Sequence, residues 1–163
     1  DSGTGLLVLL SNNFRVNNAA NSEVMINAVE DGAVSLYYNG SSKIDTTNIG
    51  ATVTGTLIAT TNTDTSNTGS VTLDFAANQN FVLTLTGNVT LANPSTEQVG
   101  QSGVIVCIQD GTGSRTLSLG TDYETAGGSG ITLSTGANDV DVIPYFVKAA
   151  GSIQLGAVQK DFG

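Results

Sequence analysis

Every apolar run in this 163-residue chain is broken within a few residues by Gly, Asn, Asp, Ser or Thr. An amphipathic helix needs ten or more residues of uninterrupted pattern, whereas short runs bounded by turn formers are the mark of strands. Thr, Ser, Asn and Gly carry most of the polarity, and charged residues make up only 12%, about half of the roughly 25% usual in soluble domains. These residues bond to nearby backbone and favour turns, and Thr also favours strands, so the chain is expected to be all-β. One segment, residues 19–30, also fits a helix started at Asn21 or Ser22; it is assigned to strand.

The runs divide the chain in two. Over residues 1–59 the strand segments are 6–10, 14–16, 24–29, 34–38, 42–46 and 52–58. Val34, Leu36 and Tyr38 alternate with Ser35 and Tyr37, and Asn39-Gly40 supplies a hairpin turn. A unit of some sixty residues with strands this short does not bury enough surface alone. The expectation is therefore a trimeric shaft, β-prism or β-helical in kind, in which three chains cover one another. Residues 60–69 hold no large apolar side chain and read as a Thr/Asn-rich linker. Residues 70–163 read as a compact antiparallel β-sandwich or barrel head, with strands at 71–75, 81–86, 89–92, 104–108, 116–119, 131–134, 140–147 and 153–158. The turn Gly87-Asn88 is expected before 89–92. The segment 104–108 is apolar on both faces and is placed centrally, while Pro144 points to an edge strand or a bulge.

The net charge is −9, and Arg15, Lys43, Arg115, Lys148 and Lys160 lie far apart. Binding a phosphate backbone needs clustered cations, so neither nucleic acid nor an anionic membrane surface is an expected partner. No apolar stretch approaches the ~18 residues of a spanning helix, which gives no expectation of membrane insertion. Asp1-Ser2-Gly3 carries no leader pattern and reads as an internal cut, with a larger N-terminal part expected before it. Cys107 is the single cysteine and reads as a small buried hydrophobe.

The sequence contains no histidine, which removes Ser-His-Asp and Cys-His catalysis and the commonest metal ligand together. Paired carboxylates remain as a catalytic possibility. Asp139 and Asp141 share a strand face, and Asp110, Asp122 and Glu124 sit on neighbouring loops, but such residues ordinarily cap turns or face solvent. No Asp-x-Asp-x-Asp-Gly calcium loop is present. The expectation is no enzyme, no catalytic residue, no cofactor and no metal site. Gly111-Thr112-Gly113-Ser114-Arg115 reads as a hairpin turn in preference to a phosphate cradle. The acceptor patterns Asn39-Gly40-Ser41 and Asn88-Val89-Thr90 coincide with turns.

The stretch EDGAVSLYYNGSSKIDTTNIGATVTGTL (residues 30–57) resembles the shaft repeat of tail-fibre and related virion proteins of marine tailed bacteriophages. It has their acidic-Gly turn, Leu-Tyr-Tyr strand end, polar hairpin and Val-Thr-Gly-Thr close. LLVLLSNNFRVNNAANSEVMINA (residues 6–28) resembles the segment that precedes that repeat. From VTLDFAANQNFVLTLTGNVTLANPSTEQVGQSGVIVCIQDGTGSRTLSLGTDY (residues 71–123) onward, the chain resembles a terminal head domain of the same proteins. The resemblance implies a virion appendage made in the bacterial host cytoplasm, built as a parallel homotrimer. It also implies recognition of a host-surface receptor, a polysaccharide or an outer-membrane protein, and attachment to other virion proteins through the N-terminal part. A capsid-attached fibre or decoration protein is the alternative, and a spike depolymerase a further one.

The resemblance transfers no receptor residues, so the candidates come from the sequence itself. Sugars are bound by an aromatic ring flanked by hydrogen-bonding groups. Tyr123 between Asp122 and Glu124, beside the Gly-rich run 126–130, is the first candidate, and Arg115 the second.

Overall fold

The computed structural model describes residues 5–162; the Asp1-Ser2-Gly3 start lies outside them. The chain is all-β and divides into two compact units, Asp1–Ile58 and Ala59–Gly163.

In the first unit β1 (Asn13–Asn17), β2 (Val24–Val29), β3 (Val34–Tyr38), β4 (Ser41–Thr47) and β5 (Gly50–Val53) form one antiparallel meander. Asn39 and Gly40 both take positive φ, 48° and 73°, and make the tight β3–β4 turn. The register places Val16, Ile26, Leu36, Ile44 and Val53 in one row across all five strands. Directly paired residues share a sheet face and neighbours along a strand alternate, so the adjoining row of Arg15, Asn27, Ser35, Asp45 and Thr52 lies on the other face. One face thus carries an apolar row and the other a polar row, with Met25 and Val29 of β2 also on that second side. Leu36, Ile44 and Val53 are 40, 39 and 41% exposed, and Ser35 is the sole buried side chain among this unit's described residues. Residues 6–10, expected as a strand, form no strand among the described residues and are exposed. The strand expected over 52–58 stops at Val53.

The second unit is a mixed sheet of β6 (Thr61–Val71), β7 (Asn80–Leu91), β8 (Ser102–Gln109), β10 (Tyr123–Glu124), β11 (Val140–Ala149) and β12 (Ser152–Leu155), in the order β10-β12-β11-β8-β7-β6. A short β9 (Leu117–Leu119) also pairs with β7. The antiparallel expectation is corrected here. Strand pairs β6/β7, β7/β8, β7/β9 and β10/β12 are parallel, while β8/β11 and β11/β12 are antiparallel. Residues 72–79 and 92–101 carry the chain back so that successive strands run the same way, and the first of these returns lays Leu73 and Phe75 on the core.

The expected linker at 60–69 is corrected as well, since most of it is β6, the edge strand. Its residues paired with Phe81, Leu83 and Leu85 are the polar Asn62, Asp64 and Asn67, of which only Asn67 is buried. Nor is Gly87-Asn88 a turn between two strands; β7 runs through it with a register shift against β6. A Cβ on Gly87 would collide with Thr68 Oγ1, so the missing side chain is what lets the two strands approach. Residues 131–134 form no strand, although Leu133 is buried.

The core faces one side of this sheet. Phe81, Leu83, Leu85, Ile105, Ile143, Val147 and Ile153 are each 1% exposed or less. Phe75 meets Tyr145 edge-on at 5.2 Å and Phe81 at 5.0 Å, and the Tyr145 hydroxyl donates to Gln79 O at 2.6 Å. On the opposite face Val82, Val106 and Val142 form one half-buried row. Pro144 is not at an edge, since β11 lies between β8 and β12. Pro144 O accepts Gly156 N at 2.8 Å and Val142 bonds to Gln159, so the missing proline N–H faces a point where the β12 ladder has already ended at Leu155.

Candidate functional site

A groove of about 730 Å³ lies between β9, β10 and the glycine-rich turn after β10, with Leu119, Tyr123, Glu124, Thr125, Gly128 and Ile131 among its walls. The chain reaches it through local bonds. Gly120 N donates to Leu91 O at 2.7 Å, which ends β9 against β7, and Ile153 N donates to Asp122 O at 2.7 Å, which starts β10 against β12. Gly128 N then bonds to Thr125 O, and Gly130 N to Thr125 Oγ1, each at 2.9 Å. β9 pairs only with β7 and β10 only with β12, so each strand keeps an open edge of peptide donors and acceptors.

Tyr123 is 6% exposed and belongs to the core cluster. Its ring is packed largely among core residues and meets the groove only with the small part left exposed. Its hydroxyl is buried without a hydrogen-bond partner. Burial, and then the charges of Asp122 and Glu97, push its ionisation above the ordinary tyrosine range, so it stays neutral.

Of the other three candidates, Glu124 and Arg115 are already engaged. Glu124 accepts from Ser152 Oγ at 2.7 Å and from Lys148 Nζ at 3.1 Å, and these bonds, Ser152 first, hold its carboxyl below the ordinary value. Asp122 N donates to Asn93 Oδ1 at 3.1 Å, and the Asp122 carboxylate receives only a long contact from Thr121 Oγ1 at 3.4 Å. Arg115 grips Asp110 with Nε at 3.2 Å from both carboxylate oxygens and Nη2 at 2.8 Å from Oδ2. Tyr123 and Glu124 line the groove; Asp122 and Arg115 do not. Lys148, the cation that meets Glu124, is not singled out by the sequence, because its partner comes from a strand 24 residues earlier.

The remaining acids hold backbone. Asp110 Oδ1 accepts Thr112 N and Gly113 N, each at 3.0 Å, closing the 111–115 turn. Asp141, 2% exposed, accepts Ser134 N, Ser134 Oγ and Asp161 N at 2.6, 2.7 and 3.0 Å. Asp139 accepts Gly136 N at 2.6 Å. Asp139 and Asp141, expected on one strand face, are thus each bonded to nearby backbone of the 134–136 segment. Cys107 is buried, and burial together with the nearby Asp141 charge, in that order of size, pushes its thiol up to about 12.

Residues 66–152 match the family described as "Putative phage tail fibre C-terminal domain", a span of more than half the chain that lies within the second unit. No curated protein and no solved structure matches.

Proposed function

We propose, from the premise that the chain belongs to the phage tail fibre C-terminal domain family, that it is the distal part of a homotrimeric fibre whose tip binds a host-surface component. Membership makes it a structural protein of the virion. The trimer, the shaft role of the first unit and receptor recognition are the proposal. We further propose that the chain carries out no chemistry on its receptor.

One observation carries the reading. The first unit folds as a single sheet with an uncovered apolar row, Val16, Ile26, Leu36, Ile44 and Val53, and without a buried apolar side chain among its described residues. An apolar row that runs across five strands, half-buried at Val16 and Ile26 and exposed at Leu36, Ile44 and Val53, marks an interaction surface, and copies of the same chain are the coverage that a fibre supplies. The half-buried row Val82, Val106 and Val142 offers the second unit a similar surface. Receptor contact falls to the groove rim, where Glu124, Thr125 and the open edges of β9 and β10 offer donors and acceptors suited to a polyhydroxylated ligand. Three such grooves engaged together would raise a weak single-site affinity by avidity.

Light scattering on the purified chain should return three times the 16.5 kDa chain mass. Leu36→Asp, placing a charge in the middle of the apolar row, should shift that mass towards one chain. A monomer for the unaltered chain at all concentrations overturns the trimeric reading. Excess purified trimer should also block adsorption of the phage that carries it; unaffected adsorption overturns the receptor reading alone.

A further inference from the structure

We propose that the cavity between β6 and the returning segment 72–79 binds a hard divalent cation, calcium foremost, through Asp64, Asp74 and the side-chain carbonyl of Asn67. The register of the edge strand is the starting point. Asn62, Asp64 and Asn67 of β6 stand opposite Phe81, Leu83 and Leu85 of β7, three residues no more than 1% exposed, so the three polar side chains share the core face of the sheet. An inward charge on an edge strand discourages the addition of another strand, which accounts for Asp64. It does not account for Asn67.

Asn67 is 2% exposed. Its Nδ2 donates to Asp64 O at 3.0 Å and to Thr84 O at 3.2 Å. Both partners can only accept, so the amide has one allowed orientation and the opposite atom is the oxygen. That Oδ1 is buried with no donor, and leaving a buried acceptor unmet costs more than an ordinary hydrogen bond stabilises.

Beside it lies a cavity of about 170 Å³ whose polar walls include Asn62, Asp64, Asn67, Asp74 and Asn78 and whose remaining walls are largely apolar. Asp74 reaches it from the returning segment, with Oδ1 accepting Ala76 N and Ala77 N at 3.1 and 3.3 Å. Asp64 uses Oδ1 for Ser66 N at 3.0 Å. No protein donor among the described residues takes the second oxygen of either carboxylate. The described residues contain no group of three or more His, Cys, Asp or Glu side chains suited to a metal, so the amide oxygen is the third protein ligand, with water completing the shell. A set made only of oxygens selects a hard cation, and donors drawn from a strand and a turn suit the variable geometry of calcium over the strict octahedron of magnesium. The ion would pin the returning segment, and with it Leu73 and Phe75, to the open edge of the sheet.

The test is calorimetric titration of the chelator-treated full chain with calcium chloride. One ion per chain is expected, with an affinity in the range of about 10⁻⁴–10⁻³ M found in extracellular calcium modules, accompanied by a rise in melting temperature. Asp64→Asn and Asp74→Asn, whose amides still accept the turn bonds, should each weaken binding at least about tenfold, the factor that roughly 1.4 kcal/mol of lost attraction produces. Glu23→Gln in the first unit should leave binding unchanged. Absence of both heat and melting shift at 10-fold excess over about 10⁻³ M calcium, or unchanged binding in the double Asp64→Asn, Asp74→Asn variant, overturns the site. Should the double variant fail to fold, manganese added to the unaltered chain decides. Paramagnetic broadening should strike the Asn67 side-chain amide and the Leu83 backbone amide first, and broadening centred elsewhere overturns the assignment.

Discussion

Replacing Tyr123 separates packing from recognition. The ring is 6% exposed among core residues, and truncating a buried aromatic to Ala costs about 3–5 kcal/mol when the surroundings do not collapse into the space. For a unit of this size each 1 kcal/mol lowers the melting temperature by about 4–8 °C, so Tyr123→Ala should lose more than about 12 °C. The hydroxyl behaves differently. It is buried without a partner, so Tyr123→Phe breaks no hydrogen bond within the protein and removes a desolvated polar atom. Its melting temperature should stay within a few degrees of the unaltered chain or rise. Near-ultraviolet circular dichroism during heating, at one fixed protein concentration, reads both variants. A Tyr123→Ala protein that melts normally but no longer competes for host cells would refute the core assignment and restore the ring as a receptor contact. A large loss in Tyr123→Phe would show that the hydroxyl has a partner, such as a bound water shared with Glu97, whose Oε2 is also buried and unpaired.

Cys107, with its thiol pushed up to about 12, should resist thiol reagents at pH 8 in the folded chain and react once denaturant is added; rapid labelling of the native protein would contradict its burial. Glu124 is held below its ordinary 4.5 by Ser152 and Lys148, so its contribution is fully present above that value and lost as pH falls through the lower folded one. The melting-temperature gap between the unaltered chain and Glu124→Gln should accordingly exist at pH 7 and close in acid, and a gap that widens in acid would reverse the sign. Gly113 has φ of 74°, and a Cβ there would lie 2.5 Å from Thr135 O; Gly113→Ala should unfold several degrees earlier by thermal melting, whereas an unchanged midpoint would mean that the 111–115 turn relaxes freely.

Strand positions are legible wherever one face is apolar, because alternation with a period of two is written in the chain itself. Val34–Tyr38 is a strand where that pattern predicts it, Val24–Val29 is a strand as assigned although residues 19–30 also fit a helix, and Phe81, Leu83 and Leu85 point inward together. Strand direction is not legible. Whether a partner runs parallel or antiparallel depends on the connection, and the return through 72–79 keeps the same alternation, Leu73 and Phe75 buried and Thr72 and Asp74 exposed, without being a strand. Turn chemistry is legible only where it is local. Asn39-Gly40 makes its hairpin, whereas Gly87-Asn88 carries the same residue types for another purpose, the close approach of Thr68.

The outcomes at 60–69 and at Tyr123 have a common physical source. A polar run suggests solvent, and a tyrosine between two acids suggests a surface ring, each from the composition of its immediate neighbourhood. Residues 60–66, 68 and 69 are indeed exposed, but whether such a run forms a strand, and which of its side chains is buried, is decided by register across the sheet. β6 inherits its inward face from Phe81, Leu83 and Leu85 across the ladder, and Tyr123 inherits its own from Ile153, its partner in β12, which is 0% exposed. Neither partner is near in sequence, so no window along the chain weighs it. The same logic explains why Asn67 is informative. A polar residue on a solvent face needs no explanation, but the same amide set opposite Leu85 is buried by a partner 18 positions away. Its oxygen is then buried without a donor among the described residues.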